Sequence, residues 1–327
     1  MTPEHTTRRQ IGQFLPIYLD SLRMDTAPDF DLYVKSGSRM ILLRSACLPF
    51  DERTRQELID NTVRTLYVAQ EGREAYQRYI ETNLPQVIAD PAVRETVKAG
   101  IVYDSAKLLT RDLLGRPTLG ENIKRCQKMV ESTVAFILTG ETAFHSILQV
   151  MSFDYHTYTH SVNVCAFAVA LGRQAGISNP PTLHVLGTGA LLHDMGKTRI
   201  SESILNKLEP LTPEEVEEIQ KHPQWGYEII KQTNLIPRES YHPILEHHER
   251  SNGTGYPRGM DGEDIHLYSR MVAIADVFDA MTTRRVYRPA VEAFPALQTM
   301  FAQKEAFDHE LLEQFTLLMG PTQLSNL

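Results

Sequence analysis

The chain has 327 residues, of which 42% are hydrophobic and 23% charged, and its formal net charge is -8. This is ordinary globular composition, with enough apolar material for roughly two domains of about 150 residues each. The acidic balance argues against a protein that wraps long nucleic acid, because that binding depends on neutralising many phosphates. It does not exclude a small nucleotide held in a local basic pocket.

The cysteines and the apolar stretches indicate the compartment. Cys47, Cys126 and Cys165 form no CxxC pair, and an odd number cannot close a full set of disulfides, so we expect reduced thiols. The N-terminal residues lack the apolar core of a signal peptide. No stretch approaches the roughly 20 apolar residues that span a bilayer. We therefore expect a cytoplasmic protein that does not enter the membrane.

The N-terminal part, to about residue 70, is predicted to be a small α/β unit. Residues 30–34 and 40–43 favour strands, and the Ser-Gly-Ser turn at 36–38 between them predicts a hairpin. Asp51 is a candidate N-cap for the helix that follows. Thr65–Ala69 has the composition of a further strand.

The rest of the chain is predicted to be helical almost throughout. Apolar residues recur at three- and four-residue spacing over 75–84, 91–114 and 119–138, with Pro85 among the predicted breaks. These helices either connect the N-terminal unit to the remainder or form a dimer. Beyond them, 161–172, 183–193 and 271–281 also predict helices, whereas the glycine-rich stretch 252–262 predicts a loop. The fold class is therefore mainly α, with an all-helical C-terminal domain.

The histidines are strongly clustered, since nine of the twelve lie between positions 156 and 266. His160 begins an apolar helix, and His156, four residues earlier, would share its face. His193 and Asp194 end an apolar helix. A His-Asp pair there carries a large free-energy cost unless something compensates it, and a metal ion does so.

Further titratable residues follow the same pattern at later helices. His222 precedes Pro223 in a helical segment, His247 and His248 end another helix, and Asp276 lies in an apolar run. Each alone is usually a core histidine or a helix cap. Together, imidazole and carboxylate ligands suit Mn, Fe or Zn, and a carboxylate can bridge two ions. The joint pattern predicts a di- or trinuclear metal site.

These residues resemble the metal-ligand set of the HD phosphohydrolase superfamily. The segment 247–257, His-His-Glu-Arg-Ser-Asn-Gly-Thr-Gly-Tyr-Pro, resembles the signature of its HD-GYP subfamily, whose known activity is hydrolysis of cyclic di-GMP. Segments 160–164, 193–197 and 275–281 match as well. The resemblance covers roughly residues 150 to 320. It implies an HD-type domain over 126–327, preceded by an N-terminal regulatory domain over 1–125.

The resemblance implies two or three divalent transition-metal ions, with Fe or Mn expected. Its implied ligands are His160, His193, Asp194, His222, His247, His248 and Asp276. Asp194 would bridge two ions. Lys197 would contact a substrate phosphate, although a solvated helix lysine is the alternative. His156 stands where some members place a Glu that binds a third metal, so it would bind metal, support a neighbouring ligand or contact the substrate.

The resemblance also implies substrate contacts beside the ions. Arg285 and Arg288 would bind the nucleotide, because an Arg can grip phosphate bidentately or stack on guanine. The alternative is a solvated helix face. Asp154 would accept guanine N–H groups or cap a helix. Tyr256, in the Gly-Tyr-Pro segment, would line the substrate pocket.

The implied function is hydrolysis of cyclic di-GMP to pGpG, GMP or both by a metal-bridging hydroxide, in second-messenger signalling. Two alternatives remain, an HD phosphohydrolase acting on another nucleotide and a catalytically silent cyclic di-GMP sensor. We also expect a homodimer as one arrangement. A signalling partner would bind through the N-terminal domain or the Gly-Tyr-Pro segment.

Overall fold

The computed structural model describes residues 13–24, 26–117, 120–152, 156–284 and 290–323. The strands are β1 (Phe14–Tyr18), β2 (Leu32–Ser36), β3 (Arg39–Arg44) and β4 (Thr65–Ala69). The helices are α1 (Glu52–Asp60), α2 (Arg73–Ala89), α3 (Glu95–Gly115), α4 (Gly120–Ile137), α5 (Ala143–Val150), α6 (Thr157–Gln174), α7 (Pro180–Leu192), α8 (Glu202–Leu205), α9 (Pro213–Gln220), α10 (His222–Thr233), α11 (Tyr241–Glu246), α12 (Leu267–Thr282), α13 (Ala293–Ala302) and α14 (His309–Gln323). Within the described ranges, none of these helices combines the length and apolar character needed to cross a bilayer.

The chain divides into two compact units, one ending at Ser105 and the other beginning at Ala106. The division falls within α3, which belongs partly to each unit. The predicted domain boundary between residues 125 and 126 falls within α4 instead. The assignment of a regulatory domain to residues 1–125 stays a prediction.

The first unit contains an antiparallel sheet with the strand order β1-β4-β2-β3. The predicted hairpin is confirmed, since β2 pairs with β3 and Gly37 turns between them with a φ of 57°. Asp51 caps α1 as predicted, because its Oδ1 accepts from the backbone N of Thr54 at 2.9 Å. Strand β1 is not predicted by the sequence pattern. It contains Pro16, which is compatible with a strand only at a sheet edge, and β1 is an edge strand.

Helix α2 contains Pro85, which the sequence analysis predicts as a break. That prediction is wrong, because the helix continues to Ala89. A proline removes one helical hydrogen bond. Leu84, Val87 and Ile88 are buried on either side of it, so packing of this apolar face offsets the loss.

The regular elements that the structure describes in the second unit are all helices, which confirms the predicted fold class. Helix α6 lies at its centre and packs against α7, α12 and α14. Phe167 of α6, Phe278 of α12 and Phe315 of α14 form an edge-to-face cluster with ring centroids 5.0 to 5.7 Å apart. These contacts fix α6 and α12 side by side.

A glycine then brings the residues after α7 against α10. A 3₁₀ turn, Met195–Arg199, packs on α10. A Cβ atom on Gly196 would overlap the carbonyl oxygen of His222 and the backbone N of Gly226. Only glycine permits this approach, and it places Asp194 beside His222.

Candidate metal centre

The centre is assembled from the ends of four helices and the middle of a fifth. His160 lies in the first turn of α6, His193 and Asp194 follow α7, His222 begins α10, His247 and His248 follow α11, and Asp276 lies within α12. Five of these side chains, those of His160, His193, Asp194, His222 and His247, are at most 1% exposed. The structure therefore brings the seven predicted ligands together in the interior.

Three of them form what we call the first donor group, His160, His193 and Asp194, whose donor atoms lie within 4.8 Å of one another. The Nε2 atoms of His160 and His193 lie 3.6 and 3.5 Å from Asp194 Oδ2. Asp276 Oδ1 adds a carboxylate oxygen 3.0 Å from His160 Nε2. Burial disfavours the charged form of His160, but its hydrogen bonds to Asp276 and Asp279 outweigh this and raise its pKa to about 10.

The second donor group consists of His222, His247 and His248, again with donor atoms within 4.8 Å of one another. His222 Nε2 and His247 Nε2 are 3.1 Å apart. Both rings present Nδ1 to a main-chain carbonyl, which places the proton of each neutral ring on Nδ1. The two Nε2 lone pairs then face each other, an arrangement that a shared cation stabilises.

Asp194 lies between the two groups. Its Oδ2 faces the first group, whereas its Oδ1 lies 3.4 Å from His222 Nε2 and 3.9 Å from His247 Nε2. Asp194 Oδ1 and His193 Nε2 are both buried and have no hydrogen-bond partner. Buried polar atoms without partners are rare in folded proteins and need an explanation. Divalent cations bound by both groups would satisfy them, so the residues fit a metal centre.

The second nitrogen of each buried imidazole fixes the ring orientation. Nδ1 of His193 lies 2.7 Å from Ala190 O, Nδ1 of His222 lies 2.6 Å from Ile219 O, and Nδ1 of His247 lies 2.9 Å from Pro243 O. In His160 the partner is a side chain, Oδ2 of Asp279, at 2.6 Å. Such contacts turn Nε2 towards the centre. Asp279 is not among the predicted site residues, although its spacing of three from Asp276 in an apolar helix is a signal that the sequence offers.

The pKa values of three of the predicted ligands suit cation binding. Burial lowers the pKa of His222 to about 4 and that of His247 well below its usual range. Burial alone would raise the pKa of Asp194, but the charges of Lys197 and His193 hold it well below normal. Metal ligation requires neutral imidazole and ionised carboxylate. The shifts of His222, His247 and Asp194 favour these forms, whereas the raised pKa of His160 means that a bound ion would have to displace a proton from that ring.

The Gly-Tyr-Pro loop, residues 249–262, closes over the second donor group. The ring of Tyr256 stacks on His248 with a centroid distance of 4.6 Å and an angle of 23°. A Cβ on Gly255 would collide with the backbone of residues 248–250. Buried Glu249 accepts from the backbone N of Arg258 at 2.8 Å and of Met260 at 2.9 Å. Glu249 is a second residue that sequence reasoning missed, and it holds the loop against the centre.

The remaining predicted residues do not join the donor groups. His156 precedes α6 as its N-cap, with a φ of -138°, so the prediction that it shares a helix face with His160 is wrong. Its exposed ring stacks on Tyr158 at 5.1 Å. Whether it binds a third metal stays a prediction. The predicted substrate contacts Asp154, Arg285 and Arg288 lie outside the described residues.

Comparison with known proteins adds independent information. A family model described as HD domain matches residues 145–311. A cyclic di-GMP phosphodiesterase of Pseudomonas aeruginosa is 32% identical over 232 residues, which cover 70% of this chain and 56% of that protein. The 3′3′-cGAMP-specific phosphodiesterase 3 of Vibrio cholerae is 36% identical over 160 residues, which cover 49% of this chain and 34% of that protein. The chain thus spans between a third and just over half of these relatives.

A solved structure is similar over most of the chain. An HDG"Y"P protein from Bdellovibrio bacteriovorus gives a TM-score of 0.67 at 24% identity and covers 94% of this chain and 100% of that one. At this identity the similarity concerns the fold alone.

Proposed function

Because this chain belongs to the HD domain family, we propose that it is a metal-dependent phosphodiesterase of the HD-GYP subfamily that hydrolyses cyclic di-GMP. The proposed products are pGpG, GMP or both. One observation carries the proposal, the carboxylate of Asp194 between two buried groups of imidazoles. The curated relatives are named for the hydrolysis of cyclic dinucleotides, which agrees with it.

The residues of the centre have distinct proposed roles. Asp194 and the two donor groups would hold two ions, and the exposed His156 is the candidate for holding a third. Bound divalent ions supply a hydroxide at neutral pH and neutralise charge on a phosphodiester. Iron or manganese is proposed because the ligands combine imidazole and carboxylate.

Lys197 is proposed to bind a substrate phosphate. Its Nζ donates to Asp194 Oδ2 at 2.6 Å, and the side chain stays partly exposed. This position holds its positive charge beside Asp194 and the proposed ions, where it would attract a phosphate oxygen that arrives from solvent. Tyr256 would line the same pocket through its contact with His248.

A second candidate function is hydrolysis of another cyclic dinucleotide. The Vibrio cholerae relative named for 3′3′-cGAMP favours it. The phosphodiester chemistry is the same for both substrates, so the bases must be distinguished elsewhere. We assign that role to Asp154, Arg285 and Arg288. A silent sensor is less well supported, since none of the seven candidate ligands is substituted.

Partners beyond the substrate are also proposals. The chain would act as a homodimer or receive a signal from another protein. The binding surface would be the N-terminal unit or the Gly-Tyr-Pro loop.

The experiment is a substrate comparison on anaerobically purified protein loaded with Mn²⁺ or Fe²⁺. We expect chromatography to detect pGpG or GMP from cyclic di-GMP, formed faster than the products from 3′3′-cGAMP. His309→Gln, which changes an exposed imidazole on α14, is the control and should keep the wild-type rate. Faster turnover of 3′3′-cGAMP would favour the second candidate. Protein that binds metal and cyclic di-GMP without hydrolysis would contradict the proposal in favour of a sensor.

A further inference from the structure

The buried imidazoles of the centre are oriented in two different ways. Two of them, His193 and His247, come directly after the last residues of α7 and α11, and His222 begins α10 two residues after the end of α9. The last carbonyl groups of a helix lack intrahelical partners. Each of these rings uses a carbonyl from that last turn as the acceptor for Nδ1. The main chain alone therefore orients them.

His160 cannot be oriented in this way, because it lies in the first turn of α6. The first turn of a helix has free N–H groups rather than free carbonyl groups. The Nδ1–H of His160 consequently needs an acceptor from another element. Asp279 of α12 supplies it, with Oδ2 at 2.6 Å. Its negative charge is also favourable beside the positive end of the α6 dipole.

Asp279 is itself held in place from the other side. Its Oδ1 accepts from Asn163 Nδ2 at 2.7 Å. Asn163 lies three residues after His160, on the same face of α6, and it also donates to Ser152 O at 3.2 Å. His160, Asn163 and Asp279 are at most 1% exposed. One buried carboxylate thus joins two side chains of α6 to α12 through both of its oxygens.

We propose that Asp279, anchored by Asn163, is a positioning residue that fixes the tautomer of His160 and thereby sets the metal affinity of the first donor group. The inference deepens the proposed function and rests on its metal centre. A carboxylate that accepts from a ligating imidazole raises the basicity of that ligand, and its loss typically costs roughly 10–100-fold in metal affinity. The second donor group, whose rings are oriented by the main chain, should be nearly unaffected.

Asp279→Asn separates this role from simple packing. The new amide can accept from Asn163 through its oxygen and donate to His160 Nδ1 through its nitrogen. The ring proton then moves to Nε2, where Asp276 Oδ1 lies 3.0 Å away as an acceptor. All these groups remain hydrogen-bonded in the metal-free protein. The nitrogen that must bind metal, however, now carries the proton.

The test is a titration of the metal-free full chain with Mn²⁺, followed through the EPR signal of free Mn²⁺. For Asp279→Asn we expect one binding event to weaken by about 10–100-fold and another to stay close to wild type. The thermal midpoint of the metal-free variant should stay near that of the metal-free wild type. Nitrogen-15 NMR of the metal-free variant should place the His160 proton on Nε2.

The matched control is Thr282→Val on the same helix. Thr282 is buried and its Oγ1 donates to Phe278 O at 2.9 Å, so the change removes a neighbouring hydrogen bond without removing the acceptor for His160. Both Mn²⁺ binding events should persist unchanged. Wild-type affinities in Asp279→Asn would overturn the inference. So would an affinity loss matched by an equal loss in Thr282→Val, or one explained by a fall in the metal-free thermal midpoint. Wild-type protein that takes up neither Mn²⁺ nor, under anaerobic conditions, Fe²⁺ would instead remove the proposed function, and the inference with it.

Discussion

The two units of the chain differ in where their charged groups lie. In the first unit, charged groups pair at or near the surface, as Arg53 does with Glu57 at 2.9 Å. Its buried polar residues, within the described part of the chain, are the uncharged Ser21, Gln77 and Ser105. Within its described residues, the second unit buries nine histidine and acidic side chains, those of His160, His193, Asp194, His222, Glu246, His247, Glu249, Asp276 and Asp279.

This difference in buried charge indicates which unit holds the functional site. Moving an ionised group out of water carries a large free-energy cost unless it is paired, hydrogen-bonded or bound to metal. The first unit avoids that cost, so its fold is explained by packing and surface pairs. In the second unit, most of the buried ionisable groups lie at the candidate metal centre, where helix ends meet, so the free-energy cost of burying them is concentrated there. Stability gives no reason for this arrangement, whereas metal binding does.

The largest effect is expected when buried candidate ligands of the second unit are removed. The double change His193→Ala with Asp194→Ala should reduce hydrolysis by more than the roughly 10–100-fold that loss of an outer-shell partner costs. It should also strip most bound metal, because Asp194 lies between both donor groups. Circular dichroism should show the helical content unchanged. Turnover at the wild-type rate would remove the proposed mechanism.

A smaller effect is expected from adding a methyl group where the 3₁₀ turn contacts α10. Gly196→Ala should lower the free energy of unfolding by about 1–3 kcal/mol, since its Cβ would overlap the backbone of His222. It should also weaken Mn²⁺ binding by displacing Asp194 from His222. Urea denaturation and metal titration measure the two effects.

Gly140→Ala is the matched control for that change, because a Cβ there meets nothing within 4 Å. It should leave Mn²⁺ affinity unaltered. If Gly196→Ala behaved like Gly140→Ala in both measurements, the close approach would not be what positions the centre.

The smallest effect is expected from a change in the first unit, which should alter stability without altering metal binding. Tyr76→Phe removes a buried hydroxyl that donates to Ser21 Oγ at 3.3 Å. We expect a loss of about 0.5–1.5 kcal/mol in the free energy of unfolding, with Mn²⁺ affinity unchanged. Hydrogen exchange at α2 amides and the same metal titration measure these. The control is Tyr67→Phe, at a half-buried tyrosine of β4. It should change neither the free energy of unfolding nor the Mn²⁺ affinity. A loss of metal affinity in Tyr76→Phe would contradict the separation of roles.

Local patterns predicted much of the fold. The hairpin, β4 and the Asp51 N-cap follow from turn, strand and capping residues, and the structure contains all three. Strand β1 could not be predicted, because Pro16 is compatible with a strand only at the edge of a sheet, and the position in the sheet depends on pairing with β4. The continuation of α2 through Pro85 could not be predicted either, because it depends on the packing of buried side chains. Both depend on contacts between residues far apart in sequence.

The same limit applies to the site. The seven candidate ligands were found because helix ends, apolar runs and a family resemblance mark them along the chain. The helical position of His156 was misjudged by one residue, since α6 begins at Thr157. Asp279 and Glu249 were missed, because their roles depend on partners in other segments, His160 and the Gly-Tyr-Pro loop.

Anomalous diffraction from crystals grown with Mn²⁺ would show directly whether ions lie among these imidazoles. We expect two manganese peaks, one against His160 and His193 and the other against His222 and His247, with the Asp194 carboxylate between them. Data that place no ion between these imidazoles, or that locate manganese only on the protein surface, would contradict the proposed metal centre.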